Sequence, residues 1–445
     1  MLPLVGVGLA SEAVYLTIVL RLPWWRYGDR LGSWREILTA TSRLPASAAQ
    51  SRALFACLGG IAVLVVAYLW GWRIIRANGA PRGLVWGGPV LFAATLFWLL
   101  PITADLFVYL SQAHLWTDLG TNPFLRAAAS FSDPLFSAYR IEYLAHPSVY
   151  GPAWVLFSAP GTAGPYDMVA GLAYLKGMAC ASYLGCAWLL SKILNRIRPE
   201  SALEGIYLFA WNPLVLLMAL GDGHNDIVMM AAVLLALWWL LEQRWALAMG
   251  ALALGVWIKY TGVVFVPLCL WYALVNCADT TRSFPAQRRH RRWSVLVGAF
   301  VAVLAVSAAV LAPFGPPNWV LTVAERLMQP VNWQASTAGL PGLAFGIGLG
   351  LFAILYGVLS WRLARGRASF QALLESAFLV ALLAFLLGAA RSQPWHLIWP
   401  AALAGLSGRR WAWPAIVGLS VAMLAAQVWV EWGAPGLGTL SSILQ

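Results

Sequence analysis

Charge is scarce in this sequence. Asp, Glu, Lys and Arg make up 10% of its 445 residues, against about 25% in a soluble globular chain. Cysteine is equally sparing. The five present (Cys57, Cys180, Cys186, Cys269 and Cys277) lie in or beside apolar runs without the spacing of a metal site, and read as small hydrophobes. No Gly-x-Gly-x-x-Gly follows a strand and no P-loop is present. Nor is any polar stretch of about a domain's length available to hold a nucleotide sugar or ATP. These absences point away from a metal and from a bound cofactor. A donor substrate must reach the chain from the membrane or the outer aqueous phase. The N-terminus has no clear signal-peptide cleavage pattern, so its first apolar run is expected to be retained.

Hydrocarbon fills the space that charge leaves. Hydrophobic residues reach 61% and mean hydropathy is +0.74. Apolar runs recur near 3–22, 53–72, 84–103, 167–191, 204–220, 225–241, 246–275, 294–314, 341–361, 369–389, 397–407 and 412–431. A helix of roughly 20 such residues crosses about 30 Å of hydrocarbon, whereas a β-barrel would show short alternating segments. The expected fold class is therefore an all-α polytopic membrane protein. Segment 149–160 is short and begins at Gly151-Pro152, which suits a re-entrant piece, and 246–275 is broken by Lys259.

The net charge of +12 sits in short clusters between these runs, a pattern that fits lipid headgroups rather than nucleic acid. Arg282, Arg288, Arg289, Arg291 and Arg292 put 277–293 on the cytoplasmic side; Arg362/Arg365/Arg367 and Arg409/Arg410 then fall on the same side, as do Arg73/Arg76/Arg82 and Lys192/Arg196/Arg198 provided that 149–160 is re-entrant. The arginines of 21–52 disagree with this assignment. It places Asp105, His114, His146, His224, Lys259 and His396 together on the outer face.

The stretch 101–152 carries much of this polar chemistry. Asp105 follows an apolar run, and a long outer loop then holds His114, Asn122-Pro123, Arg126, His146 and Tyr150-Gly151-Pro152. Loops of this length are functional or disordered, and the aromatics argue against disorder. Asp105 is either a base at the membrane surface or a helix-end carboxylate solvated by water. Residues 221–226 read Gly-Asp-Gly-His-Asn-Asp between two runs. A helical hairpin turn accounts for Gly221, Gly223 and one capping residue. It does not require Asp222, His224, Asn225 and Asp226 together at a depth where charge is costly. Asn212-Pro213 should kink the helix before it. Lys259 snorkels to the interface or holds a phosphate. Arg391, Gln393, Trp395 and His396 share a later turn in which Trp395 could simply belong to an aromatic belt and His396 could act as a base or bind phosphate. The segment 315–340, with Trp319, Glu325, Arg326 and Trp333, has an amphipathic look and should lie on the membrane surface, where it could cover a site.

A helix ending in Asp, an outer loop with Asn-Pro-Phe and Tyr-Gly-Pro, and a Gly-His-Asn-Asp turn after an Asn-Pro helix resemble the GT-C class of glycosyltransferases. Within it they are similar to bacterial polyprenyl-phosphate-mannose-dependent α-mannosyltransferases. The resemblance runs over about 84–400. It implies about 11–14 transmembrane helices, a long outer loop carrying short surface helices, and a site facing the periplasm or exterior of the inner (plasma) membrane. The implied divisions are 1–83 as accessory helices, 84–407 as catalytic core with 104–150 as its outer loop, and 408–445 as a terminal helix and tail. The implied partners are a polyprenyl-phosphate sugar donor, a glycolipid or polysaccharide acceptor, and the bilayer. Asp105 corresponds to the residue assigned to the acceptor, and His396 is a competing base. Many members carry two acidic residues at the first site, whereas Asp105-Leu106-Phe107 has one.

The residues suit that chemistry on their own terms. Phosphate leaves without protonation, so one base suffices, whereas a glycosidase needs two carboxylates. Lys259, Arg391 and Arg126 are the candidate phosphate cations. His114, Asn122, His146, Tyr150, Asp222, His224, Asn225, Asp226, Gln393 and Trp395 are candidates to hold the substrates. A transporter or flippase would instead show internal repeats and charges near the midplane; no convincing repeat is seen. A membrane-embedded interaction protein leaves 104–150 unexplained.

Overall fold

A computed structural model describes residues 2–25, 48–132, 142–162, 168–277, 285–316, 318–328, 340–365, 369–387 and 393–428. Arg391 lies outside the described residues, as do 329–339 of the amphipathic segment. The described residues are helical and form no strand beyond a lone bridge between Pro23 and Leu99. In chain order the helices are α1 (Leu2–Arg21), α2 (Ala48–Asn78), α3 (Arg82–Leu96), α4 (Asp105–Thr117), α5 (Pro152–Ser158), α6 (Met168–Ile197), α7 (Ala202–Ala210) and α8 (Pro213–Gly221). Then come α9 (Asp226–Leu241), α10 (Trp245–Ile258), α11 (Val266–Asn276), α12 (Pro285–Leu311), α13 (Asn318–Met328), α14 (Leu340–Arg365), α15 (Phe370–Leu387), α16 (Ile398–Ser407) and α17 (Ala412–Val428).

Among the described residues, six helices are long and apolar enough to cross a membrane, and the bent pair α7–α8 passes the same test only when its two halves are taken together. Shorter apolar helices, including α9, α10 and α17, complete an all-α polytopic membrane protein. The shortening has a local cause. The run 246–275 is cut at Lys259, which is extended (φ −145°, ψ 119°) between α10 and the 3₁₀ turn Tyr260–Phe265. Helix α9 is apolar on nearly all sides and packs on α6, α10 and α16, as an all-round hydrophobic helix must.

Two features aim the polar residues. First, the bend between α7 and α8 is 52°. There Pro213 starts a new helix and Asn212 Oδ1 accepts from the Leu214 and Val215 N–H groups (2.9 and 3.4 Å). The last turn of α8 then widens into a π-turn over Leu217–Gly221, a geometry common at functional sites, and delivers the chain into 222–225. Gly223 has φ +71°, and a Cβ there would come within 2.9 Å of Leu106. Second, the supposed outer loop begins as a helix. Leu106–Leu115 are all buried in α4, Ser111, Gln112 and His114 included. Residues 105–117 of the expected outer loop 104–150 thus form a largely buried helix. Asp105 stands in the first turn of a buried helix, where the amide dipole favours a carboxylate.

Segment 149–160 is too short to span as a helix: α5 has seven residues, about 10 Å of rise. Helix α13 seats Trp319 flat on Phe124 (4.5 Å between ring centres, 13°) beside Phe314, so the amphipathic segment docks on the Asn-Pro-Phe turn.

Candidate active site

Four elements that are distant in sequence meet at the N-terminal end of α9: the start of α4, the 148–152 turn, the break at Lys259, and the turn 393–397 before α16. Asp105 lies at the open edge. Its Oδ1 accepts from the Tyr150 hydroxyl at 2.5 Å and from the Tyr109 hydroxyl at 3.4 Å. Its Oδ2 lies 3.8 Å from His224 Nδ1, and its side chain is 18% exposed.

Tyr150 is held there by the glycine that follows it. The Gly151 N–H donates to the Ile258 carbonyl at 3.2 Å, and a Cβ on Gly151 would sit 1.8 Å from the Trp257 carbonyl oxygen. The Tyr-Gly-Pro turn therefore presses against the end of α10, where no side chain fits. We expect Gly151→Ala to push Tyr150 off Asp105 and lower turnover by about a hundredfold, the scale of an ångström's misplacement. Transfer assays beside melting curves check this: full activity in the folded variant would show that the close contact is dispensable.

Behind Asp105 the polar groups are sealed. Asp222 Oδ1 accepts from the Ile102 N–H at 2.6 Å and more weakly from Thr103 N–H at 3.4 Å, while Oδ2 faces His224 Nε2 at 3.9 Å. Burial raises the Asp222 carboxyl above its ordinary value, opposed by His224 and by the Ile102 N–H. The His224 ring stacks on Trp395 with centres 4.1 Å apart and planes 21° apart. Asn225 is fully buried, and neither its amide nitrogen nor its oxygen has a hydrogen-bond partner among the described residues.

One turn further along, Asp226 is completely buried and takes both contacts of Lys259 Nζ, at 2.8 and 2.9 Å, together with the Trp399 indole N–H at 2.5 Å. The sequence suggested Lys259 as a lone cation; the fold gives it a carboxylate, so the pair carries no net charge. Lys259 remains 15% exposed and lies over the Trp399 ring.

His396 packs against Trp399, and its Nδ1 accepts the Gln393 backbone N–H at 3.2 Å. Its depth and the nearby Lys259 ammonium push its pKa down to about 3. The folded protein keeps this ring neutral, whereas the unfolded chain protonates it below about pH 6.5. The unfolded state then binds more protons, so stability should fall as pH drops from about 6.5 toward 3. Thermal melts of His396→Gln should show a flatter decline over that range; an unchanged slope would remove His396 as its source.

Other candidates lie apart from this cluster. His114 is buried near the far end of α4 and pairs with Asp118 at 2.9 Å. It is nine residues past Asp105, about 13 Å of helical rise. Asn122 is a tether: its Nδ2 donates to the Phe314 carbonyl and its Oδ1 accepts from Phe124 N–H, both at 2.9 Å. Arg126 and His146 are exposed.

Lys176 was not singled out from the sequence. It is wholly buried in α6 and donates to the Leu99 and Gly221 carbonyls (2.8 and 2.6 Å), joining the chain after α3 to the end of α8. A lone Lys inside an apolar run, the signal that marked Lys259, would have found it. Trp399, Thr103 and Tyr109 were missed for a different reason: single aromatics and threonines carry no signal in such a sequence. Among the described residues, no group of three or more His, Cys, Asp or Glu side chains is arranged to hold a metal ion.

Comparison with known proteins adds to this picture. Residues 7–275 match the model of a family described as alpha-(1->6)-mannopyranosyltransferase, N-terminal domain, a range that takes in Asp105, Tyr150, Asp222, His224, Asp226 and Lys259. The chain is similar to alpha-(1->6)-mannopyranosyltransferase A of Mycobacterium tuberculosis, 24% identical over 384 residues covering 81% of this chain and 72% of that protein. It is also similar to alpha-(1->6)-mannopyranosyltransferase A of Corynebacterium glutamicum, 22% identical over 229 residues, 51% of this chain and 44% of that one. Alpha-(1->6)-mannopyranosyltransferase B of the same organism is 26% identical over 248 residues, 51% of this chain and 39% of its own length. No solved structure matches.

Proposed function

The chain belongs to the alpha-(1->6)-mannopyranosyltransferase family and is a membrane mannosyltransferase, and from that premise we propose that it moves mannose from a polyprenyl-phosphate donor to a glycolipid or polysaccharide acceptor, forming an α-(1→6) bond at the extracytoplasmic face of the plasma membrane. One observation carries the reading: the partly open Asp105 carboxylate, oriented by the Tyr150 hydroxyl at the edge of a buried polar cluster.

In this mechanism the acceptor hydroxyl lies against Asp105 Oδ2. Asp105 takes its proton while the oxygen attacks the anomeric carbon from the side opposite the phosphate. The phosphate leaves with the electron pair and needs no acid. A β-linked donor then gives an α-linked product by inversion, in keeping with the linkage in the relatives' names. Asp105 suits the base better than His396 does. The lone pair of His396 Nδ1 is engaged by the Gln393 N–H, so a neutral ring carries its proton on Nε2 and offers a donor. His396, the remaining N–H of Lys259 and, from the sequence, Arg391 are the groups for the departing phosphate. Arg126, His114, Asn122 and His146 serve the surrounding fold or surface in this reading.

The outward orientation draws support from the basic clusters. Helix α6 carries Lys192 and Arg196 at the end away from Lys176, and α14 ends in Arg362 and Arg365 before α15 climbs toward the 393–397 turn.

The test is transfer by purified protein given polyprenyl-phosphate-[14C]mannose and a membrane lipid extract, with Asp105→Asn alongside. Label entering a new lipid or polymer only with the unaltered protein supports the reading. Transfer from a different polyprenyl-phosphate sugar, and not from this one, would replace mannose. Failure of all such donors with folded protein would overturn the donor class.

A further inference from the structure

A one-base transfer leaves two sealed groups without a task. His224 is 1% exposed and Asp222 2%, directly behind the 18% exposed Asp105. His224 Nδ1 has no hydrogen-bond partner among the described residues, yet it faces Asp105 Oδ2 at 3.8 Å. At the other side of the ring, Nε2 lies 3.5 Å from the Thr103 hydroxyl and 3.9 Å from Asp222 Oδ2. The ring plane is set by the Trp395 stack, and Asp222 is set by the Ile102 N–H on its other oxygen. Carboxylate, imidazole and acting group thus stand in the order of a hydrolase triad. Such contacts commonly run long in an empty site and tighten when substrate binds.

We infer that His224, oriented by Asp222, receives from Asp105 the proton that Asp105 removes from the acceptor hydroxyl. The inference rests on the reading of Asp105 as base. The acceptor O–H bond breaks and its proton goes to Asp105 Oδ2; the acceptor oxygen bonds the anomeric carbon; the anomeric C–O bond to phosphate breaks with its electron pair on phosphate. The proton then passes from Oδ2 to His224 Nδ1. The resulting imidazolium lies between two carboxylates, and as products leave its proton returns through Asp105 Oδ2, the exposed member of the set, to water. Passing the proton to His224 restores the anionic base during the same turnover. His224 and Asp222 are positioning residues in this scheme and do not touch the sugar.

The pH profile of kcat reads this directly. The charged and titratable groups that face His224 are Asp105 on α4, Asp222 and Asp226 at the head of α9, and His396 in the turn before α16, with Lys176 of α6 acting on Asp222. In full-length protein we expect kcat to rise with pH along one limb, because the relay accepts a proton only when the ring is neutral. His224→Gln should lower kcat by about a hundredfold, at the low end for a positioned proton-transfer group. It should leave donor KM within about twofold and abolish that limb. Asp222→Asn, which keeps the ring and its stack, should shift the limb to lower pH by removing the anion that favours imidazolium. In His224→Ala, added imidazoles should restore turnover in proportion to their basicity.

An unchanged limb in folded His224→Gln or Asp222→Asn overturns the relay, as does rescue indifferent to imidazole basicity. Should His224→Gln fail to fold, Asp222→Asn decides alone. If Asp105→Asn instead keeps its turnover, the base assignment has failed and the relay with it. A dead Asp105→Asn beside a normal His224→Gln removes the relay only.

Discussion

Asp105→Asn lowers mannosyl transfer by about a thousandfold or more, within the range a positioned general base contributes, and leaves donor binding nearly unchanged. The amide keeps the size of the side chain and can still accept from the Tyr150 hydroxyl, which now donates to Asp105 Oδ1 at 2.5 Å. What disappears is the ability to take a proton. The effect should therefore fall on kcat, because deprotonation of the acceptor is felt in the transition state and not in donor binding. Binding of a non-transferable donor analogue, measured beside single-turnover transfer, separates the two. Turnover within a few-fold of the unaltered protein would sink Asp105 as the base. A loss confined to donor affinity would reassign it to positioning the phosphate.

Removing the partner of Lys259 should have the largest effect on stability. Asp226 is buried completely and holds both Lys259 contacts and the Trp399 indole N–H. Asp226→Ala leaves an ammonium in an apolar setting with no counter-charge, a change that typically costs about 3–5 kcal/mol. Lys259→Met leaves the opposite charge stranded and should be similarly harmful. The double variant Asp226→Leu/Lys259→Met removes both charges, and replacement of a whole buried pair by apolar groups is often close to neutral. Unfolding of the two single variants and the double one, followed in detergent, reads the coupling. A double variant as unstable as either single one would show that the pair matters through its other contacts. If Lys259 also serves the departing phosphate, the double variant regains stability and remains poor in transfer.

Parts of this arrangement were legible from residue order alone. Asn212-Pro213 announced the bend between α7 and α8, because proline lacks an N–H and its ring excludes the helix before it. Lys259 announced the break between α10 and α11. The Gly-Asp-Gly-His-Asn-Asp turn declared itself as more than a hairpin, because four polar side chains at that depth need a reason to be there. Helix α4 was not legible in the same way, because Asp105, Gln112 and His114 interrupt its apolar run and the burial of Leu106–Leu115 depends on packing against α5 and the 159–161 turn.

By itself the sequence determined the membrane, the all-α class and the residue types of the cluster. Hydropathy and charge are summed along the chain, and no contact is needed to read them. The tertiary structure alone decided the partnerships. It paired Lys259 with Asp226, laid Tyr150 on Asp105 through the side-chain-free approach of Gly151, tied Leu99 to Gly221 through Lys176, and stacked Trp395 on the distant His224. Such contacts depend on how helices cross and where they end. In a membrane, neighbouring helices gain little from hydrophobicity and are held by close packing and interhelical hydrogen bonds, and those distances exist only after the chain has folded.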